Sequence, residues 1–223
     1  MFAHDKWNEW IDKTCAFGQF SSADYAVHLP LMSAPHVLGV ESIRSEVPYL
    51  FPPRRHIELG QSHVPDAKLR IGFAWSGRPT HPNDHHRSCP LAHWLPLFKV
   101  AEVAFYSLQK GAADSETARL LDQLQNVRDL DPLQNDFADT AAIMDQLDLI
   151  ITVDTSTLHL AGGLAGPVWG LLSRRCDWRW ETCREDSDWY PTLRLFRQKA
   201  VDDWDELMPR VAAALVELRD GLP

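Results

Sequence analysis

The sequence predicts an α/β protein built on a Rossmann-like, doubly wound parallel sheet. Three observations carry that prediction. From Lys68 onward, short apolar runs alternate with amphipathic stretches. The apolar runs are continuous rather than alternating with polar residues, as strands covered on both faces require. Small or polar turn residues stand where the runs end, as in Ser76-Gly77, Lys110-Gly111 and Asp154-Thr155-Ser156.

Taken in order, LRIGFAWSG is a strand ending in Ser-Gly, followed by the polar loop RPTHPNDHHRS. CPLAHWLPLF reads as a helix opening near Pro90, with Ser88 as its cap. EVAFYSLQKG is a second strand, DSETARLLDQLQ an amphipathic helix, VRDLDP a short strand and DFADTAAIMDQLD a further helix. LIITVD is a buried strand, TSTLHLAGGLAG a short helix and PVWGLLS another strand. The loop RRCDWRWETCREDSDWYP leads to a last strand, TLRLFRQ, and a last helix, DDWDELMPRVAAALVELRD. Six strands with this many helices fit one domain over residues 67–223. Residues 1–66 have no such period. They read as an N-terminal extension with short helices near 5–16 and 33–39, and a linker from about Pro52 to Ala67.

Composition narrows the function. The chain has 223 residues, ordinary apolar content at 45% and a net charge of −9. That charge opposes a nucleic-acid or anionic-membrane binder, which needs a basic field. Cys15, Cys89, Cys176 and Cys183 have neither disulfide-framework nor zinc-ribbon spacing. No apolar run reaches the roughly 18 residues of a transmembrane helix, and the N-terminus lacks a signal-peptide core. The expected location is the cytoplasm. Nine tryptophans, among them Trp169, Trp178, Trp180, Trp189 and Trp204, are expected to pack the core and loops, or to lend one ring to a base or sugar.

Ligands of doubly wound sheets sit beyond the carboxyl ends of the strands. The candidate loops are therefore 77–89, 109–114, 130–137, 154–159 and 173–190. At the fourth, Asp154 ends a strand and Thr155 or Ser156 stands at the cap of the next helix. The free N–H groups and positive dipole end of such a helix suit an anion, and hydroxyls at 155, 156 and 157 can add donors. Plain N-capping explains the same residues equally well. His159, taken alone, is a packed histidine. The loop THPNDHHRSC sets His81, His85, His86 and Cys89 close in sequence, but no second cluster completes a zinc site. WSGRPTHPNDHHRS contains no G-x-G-x-x-G, so the dinucleotide fingerprint of NAD enzymes is absent.

The segments RIGFAWSGRPTHPNDHHRSCPLAHWLPLF, SLQKG, DFADTAA, DLIITVDTSTLHLAGGLAGPVWGLL, DWRW and REDSDWYPTLRLFRQ follow one another along the chain. In that order the chain resembles the heptosyltransferase-like glycosyltransferases (glycosyltransferase family 9), in the branch found at the C-terminus of bacterial tetratricopeptide-repeat proteins. The resemblance covers about residues 24–215. It implies a two-domain GT-B fold of which this chain carries the C-terminal, donor-binding domain, and an inverting transfer that uses no metal and no cofactor. The family's D-T-x-x-x-H motif falls on Asp154, Thr155 and His159. The resemblance lays the backbone of Thr155, Ser156 and Thr157 against the donor diphosphate, with Asp154 and His159 shaping the pocket. A basic residue three positions before a proline falls on Arg87, ahead of Pro90; Lys110 is a weaker candidate. Arg174, Arg175, Asp177 and Arg179 are further candidates for the donor, with Arg179 equally placed to pair with Glu181, Glu185 or Asp186.

The family's general base belongs to an N-terminal domain of which residues 24–50 resemble only the last part. No catalytic base is assigned. Three expectations stay open: a portion of a longer enzyme, a subunit that meets a partner chain or a second copy of itself to complete the acceptor side, and a module that binds a nucleotide without transfer.

Overall fold

The computed structural model describes residues 21, 27–30, 33–40, 45–52, 67–111 and 115–222, without the side chains of 115, 116 and 118. The helix expected at 5–16 and most of the expected 52–67 linker lie outside the described residues. In the extension, α1 is a single turn, Ala34–Val37.

The sheet has six strands, all parallel: β1 Leu69–Ala74, β2 Val103–Ser107, β3 Val127–Asp129, β4 Leu149–Val153, β5 Val168–Leu172 and β6 Leu193–Arg197. Their order is β3-β2-β1-β4-β5-β6. The chain thus works outward from β1 in one direction, then returns and works outward from β4 in the other. The crevice between β1 and β4, where the winding reverses, is where such sheets receive ligands.

Continuous apolar runs make these strands because both faces are covered. Leu69, Ile71 and Phe73 of β1, Val103 and Phe105 of β2, and Leu149, Ile151 and Val153 of β4 enter one core. Ala104, Tyr106 and Ile150 enter the other. The first core is aromatic: Phe73 meets Trp75, Trp94, Phe98 and Phe105 with ring centroids 5.1–6.2 Å apart. It is closed by α3 (Leu95–Phe98) and by α7 (Trp204–Asp220), which buries Trp204, Leu207, Met208, Val211 and Leu215. The second is closed by α5 (Phe137–Met144) and α6 (Ser156–Gly163), with Trp180 and Tyr190 from the long loop. The amphipathic α4 (Ser115–Gln123) connects β2 to β3.

Two expected details differ. The 89–98 segment opens as a 3-10 turn, Leu91–Trp94, with Pro90 as its N-cap, before becoming α3. Ser88 does not cap it, because its hydroxyl oxygen accepts a hydrogen bond from the Gly77 N–H at 3.0 Å. The polar loop before it also contains a short helix, α2 (Asp84–Arg87), which ends on Arg87.

Candidate functional site

A cavity of about 890 Å3 opens at the carboxyl ends of the strands, on the β1 side of the winding reversal. That volume lies within the usual ~300–1,000 Å3 of small-molecule sites. Its walls are the β1 turn (Ser76, Gly77), Arg87, the β2 end (Gln109, Lys110, Gly111), the turn into α5 (Gln134–Phe137) and the start of α6 (Thr155, Ser156, Thr157). Of the donor candidates named from the sequence, Arg87, Lys110, Thr155, Ser156 and Thr157 therefore share one cavity although the last stands 70 positions after the first.

At the α6 end, Thr155 is the N-cap in extended conformation, yet its side chain makes no capping hydrogen bond. Its hydroxyl lies 3.4 Å from that of Thr152, inside the buried end of β4. Leu158 N–H is taken by the Thr155 carbonyl oxygen at 3.1 Å. The Ser156 and Thr157 N–H groups precede any possible intrahelical acceptor. They stand at the cavity wall with the positive end of the helix dipole behind them.

The β1 turn is different. Trp75 N–H and Ser76 N–H both donate to Gln109 Oε1, at 3.2 and 2.9 Å, and Gly77 N–H donates to Ser88 Oγ. The turn that carries phosphate in the dinucleotide-binding fingerprint is thus already satisfied by side chains. The backbone N–H groups of Ser156 and Thr157 at the start of α6 have no such side-chain acceptor among those described.

Arg87 reaches across to α6. Its Nη1 donates to the Asp154 carbonyl oxygen at 3.2 Å and its Nε to Asp84 Oδ1 at 3.1 Å. Lys110, its side chain 64% exposed, is tied to Asp131 at 2.5 Å. Also on the wall, Phe137 is 57% exposed, and Gln134 is buried with its Nε2 unpartnered.

Asp154 and His159 are not among the lining residues. Asp154 meets Arg87 through its backbone. His159 sits on another side of α6, stacked on Trp180 with centroids 5.4 Å apart and 2.9 Å from the Tyr190 hydroxyl. Burial holds its pKa below the ordinary imidazole value; Asp154 opposes that shift and Arg179 adds to it. Burial also raises the pKa of Tyr190, helped by the Tyr49 hydroxyl 3.3 Å away.

The 173–190 loop does not reach the cavity: Arg174, Arg175, Asp177 and Arg179 are absent from its walls. Arg179 pairs with Asp177, not with Glu181, Glu185 or Asp186. Arg184 takes Glu181, Asp186 and Asp188. In the histidine loop, His86 pairs with Asp202 at 2.8 Å and lies tilted against His85 with ring centroids 4.0 Å apart, while Cys89 is fully buried. Gln109 and Phe137 fall in the expected loops 109–114 and 130–137 but were not singled out. Gln109 reads there as part of the second strand, EVAFYSLQKG, and Phe137 as part of the helix DFADTAAIMDQLD.

Among solved structures, the E. coli heptosyltransferase WaaC with ADP matches with a TM-score of 0.51 at 17% identity, over 69% of this chain and 45% of that one. The chain has a heptosyltransferase-like fold. At that identity the likeness is one of fold. E. coli ADP-heptose LPS heptosyltransferase II matches with a TM-score of 0.48 and 21% identity over 68% of this chain and 46% of that one. In sequence, the chain is 29% identical over 150 residues to protein FlbA of Caulobacter vibrioides, covering 66% of this chain and 25% of that protein. The chain thus spans a quarter of FlbA and less than half of the WaaC chain. No protein-family model matches it. Among the described residues no helix is long and apolar enough to cross a membrane.

Proposed function

We propose that the cavity receives the diphosphate of a nucleotide-diphosphate sugar, and that the chain is the donor-binding part of a GT-B glycosyltransferase. The observation that carries this reading is the uncapped start of α6 facing Arg87. Two N–H groups, a helix dipole and a guanidinium converge there, and the competing β1 donors are already used. A nucleoside diphosphate leaves with growing negative charge, and this arrangement offsets it where it develops. WaaC, solved with ADP, supports a diphosphate of this kind. The inverting, metal-free transfer implied by the family resemblance is part of the same proposal. Lys110, held by Asp131, serves the wall more than the phosphate.

A narrower reading, binding without transfer by this chain alone, is favoured by the carboxylates at the cavity. Transfer needs a base near the acceptor. Asp136 is the one carboxylate lining the cavity among the described residues, and its Oδ1 is engaged by the Asp139 N–H at 2.8 Å as the cap of α5. A partner chain or second copy that supplies the acceptor side would bring the base.

Thermal unfolding against ADP, UDP, GDP and CMP, with the matching sugar nucleotides, tests the reading. A ligand at 100 times its Kd adds about 2.7 kcal/mol. Stabilisation by one nucleotide diphosphate, lost in Arg87→Ala, supports the donor site. No stabilisation by any of them removes it. Turnover of the stabilising sugar nucleotide separates transfer from binding alone.

A further inference from the structure

We propose that Gly77 and Asp84 are positioning residues: together they fix the Arg87 guanidinium over the start of α6, and Gly77 does so by lacking a side chain. The proposal rests on the donor-site reading for its ligand, but its geometry stands apart from that reading.

Arg87 ends a four-residue helix in a polar loop, and a long side chain there has many rotamers to lose. Three contacts hold it. Nε is bound by Asp84 Oδ1 and Nη1 by the Asp154 carbonyl oxygen. The third is steric: a Cβ placed on Gly77 overlaps Arg87 Nη2, and would lie 2.5 Å from Asp84 Oδ1 and 2.7 Å from Arg87 Cζ. The guanidinium therefore lies directly on the Gly77 backbone.

The Gly77 backbone is outside the left-handed region, so its conformation does not call for glycine. The space does. The Gly77 N–H is anchored on Ser88 Oγ, which keeps the strand end from backing away. A methyl group at 77 must push the guanidinium and its Asp84 partner aside. Both are the far ends of flexible side chains, so the methyl displaces them without breaking the fold. Among the described residues no acceptor meets Nη2, which leaves its hydrogens to an anion in the cavity.

The test uses Gly77→Ala, Arg87→Ala and the double variant, titrated calorimetrically with ADP, UDP, GDP, CDP and inorganic pyrophosphate. Each single substitution is expected to weaken the tightest of these by about tenfold or more, the scale of a hydrogen bond to a charged group. The double variant is expected to be no weaker than Arg87→Ala, since both changes remove one interaction. Wild-type affinity in Gly77→Ala, or additive losses, overturns the proposal. A ligand-free readout separates its failure from that of the donor reading. The Arg87 Nε–H resonance, protected by Asp84, is expected to lose protection in Gly77→Ala with the circular dichroism spectrum unchanged. Protection unchanged in Gly77→Ala overturns the placement. An unmodified chain that binds none of the five probes removes the donor site, and with it the diphosphate as the ligand Arg87 is positioned for.

Discussion

His159 Nδ1 lies 2.9 Å from the Tyr190 hydroxyl, and the same ring stacks on Trp180. The histidine of the D-T-x-x-x-H pattern thus belongs to the packing of α6 against the 173–190 loop. Burial, opposed by Asp154, keeps it neutral below the ordinary imidazole range. The unfolded chain protonates this histidine near pH 6.5 and the folded chain only lower. As pH falls through about 6.5 the unfolded state binds the extra proton, so stability drops. Above that window His159 adds no pH dependence. Urea unfolding at pH 7.5 and 5.5 is expected to show a smaller loss in His159→Asn than in wild type. Equal losses would mean that the histidine titrates normally.

Ser156 is the first residue of α6, behind an extended Thr155 with φ −140° and ψ 178°. Proline is well tolerated at that position, and the extended residue before it avoids the proline ring. Ser156→Pro is therefore expected to preserve folding stability while deleting one N–H from the cavity wall. Nucleotide diphosphate affinity should fall about tenfold, the scale of a hydrogen bond to a charged group. Calorimetric titration decides. Unchanged affinity in a folded Ser156→Pro protein would place the phosphate elsewhere.

Gly162, later in the same helix, touches the other side of this packing. A Cβ there overlaps the ring of Tyr190. Gly162→Ala is expected to cost about 1–3 kcal/mol, as overpacking does, and to disturb the Tyr190–His159 contact. Gly166→Ala is the control, since its Cβ meets only the Ala161 carbonyl oxygen at 3.7 Å. It should change stability by about 0.5 kcal/mol or less. Urea midpoints that match between the two variants would show that α6 and Tyr190 are free to part.

The sheet was legible because burial on both faces writes itself into each strand locally: LIITV and VWGLL need no partner to be read. The start of α6 was legible in part. Its residues are contiguous, but whether Thr155 caps the helix depends on Thr152, which draws the hydroxyl inward. The rest depended on contacts that no local pattern carries. Tyr190 and Trp180 reach His159 from 31 and 21 residues away, and Asp131 reaches Lys110 from across β3. Gln109 closes the β1 turn from 33 and 34 residues off. Arg179 turned to Asp177, two residues before it, over the more distant acids that sequence offered. Local backbone geometry made that choice, as Asp177 also accepts from the Arg179 N–H at 3.0 Å.

Phe137 opens α5 with its ring 57% exposed at the cavity rim, an unusual place for a large apolar side chain at the start of an otherwise buried helix. Asp136 already caps α5, so the ring is not needed to start the helix. If the diphosphate lies on α6 and Arg87, the wall formed by Phe137 and Gln134 is available to the nucleoside. An aromatic face there offers stacking worth about 1–3 kcal/mol per base. Phe137→Ala should leave the melting temperature nearly unchanged, because the side chain is mostly in water. It should weaken the preferred nucleoside diphosphate by about tenfold, while the affinity for inorganic pyrophosphate stays the same. Parallel titrations with the two probes check this. Equal losses for both would mean that Phe137 shapes the whole cavity, and no loss for either would put the base outside it.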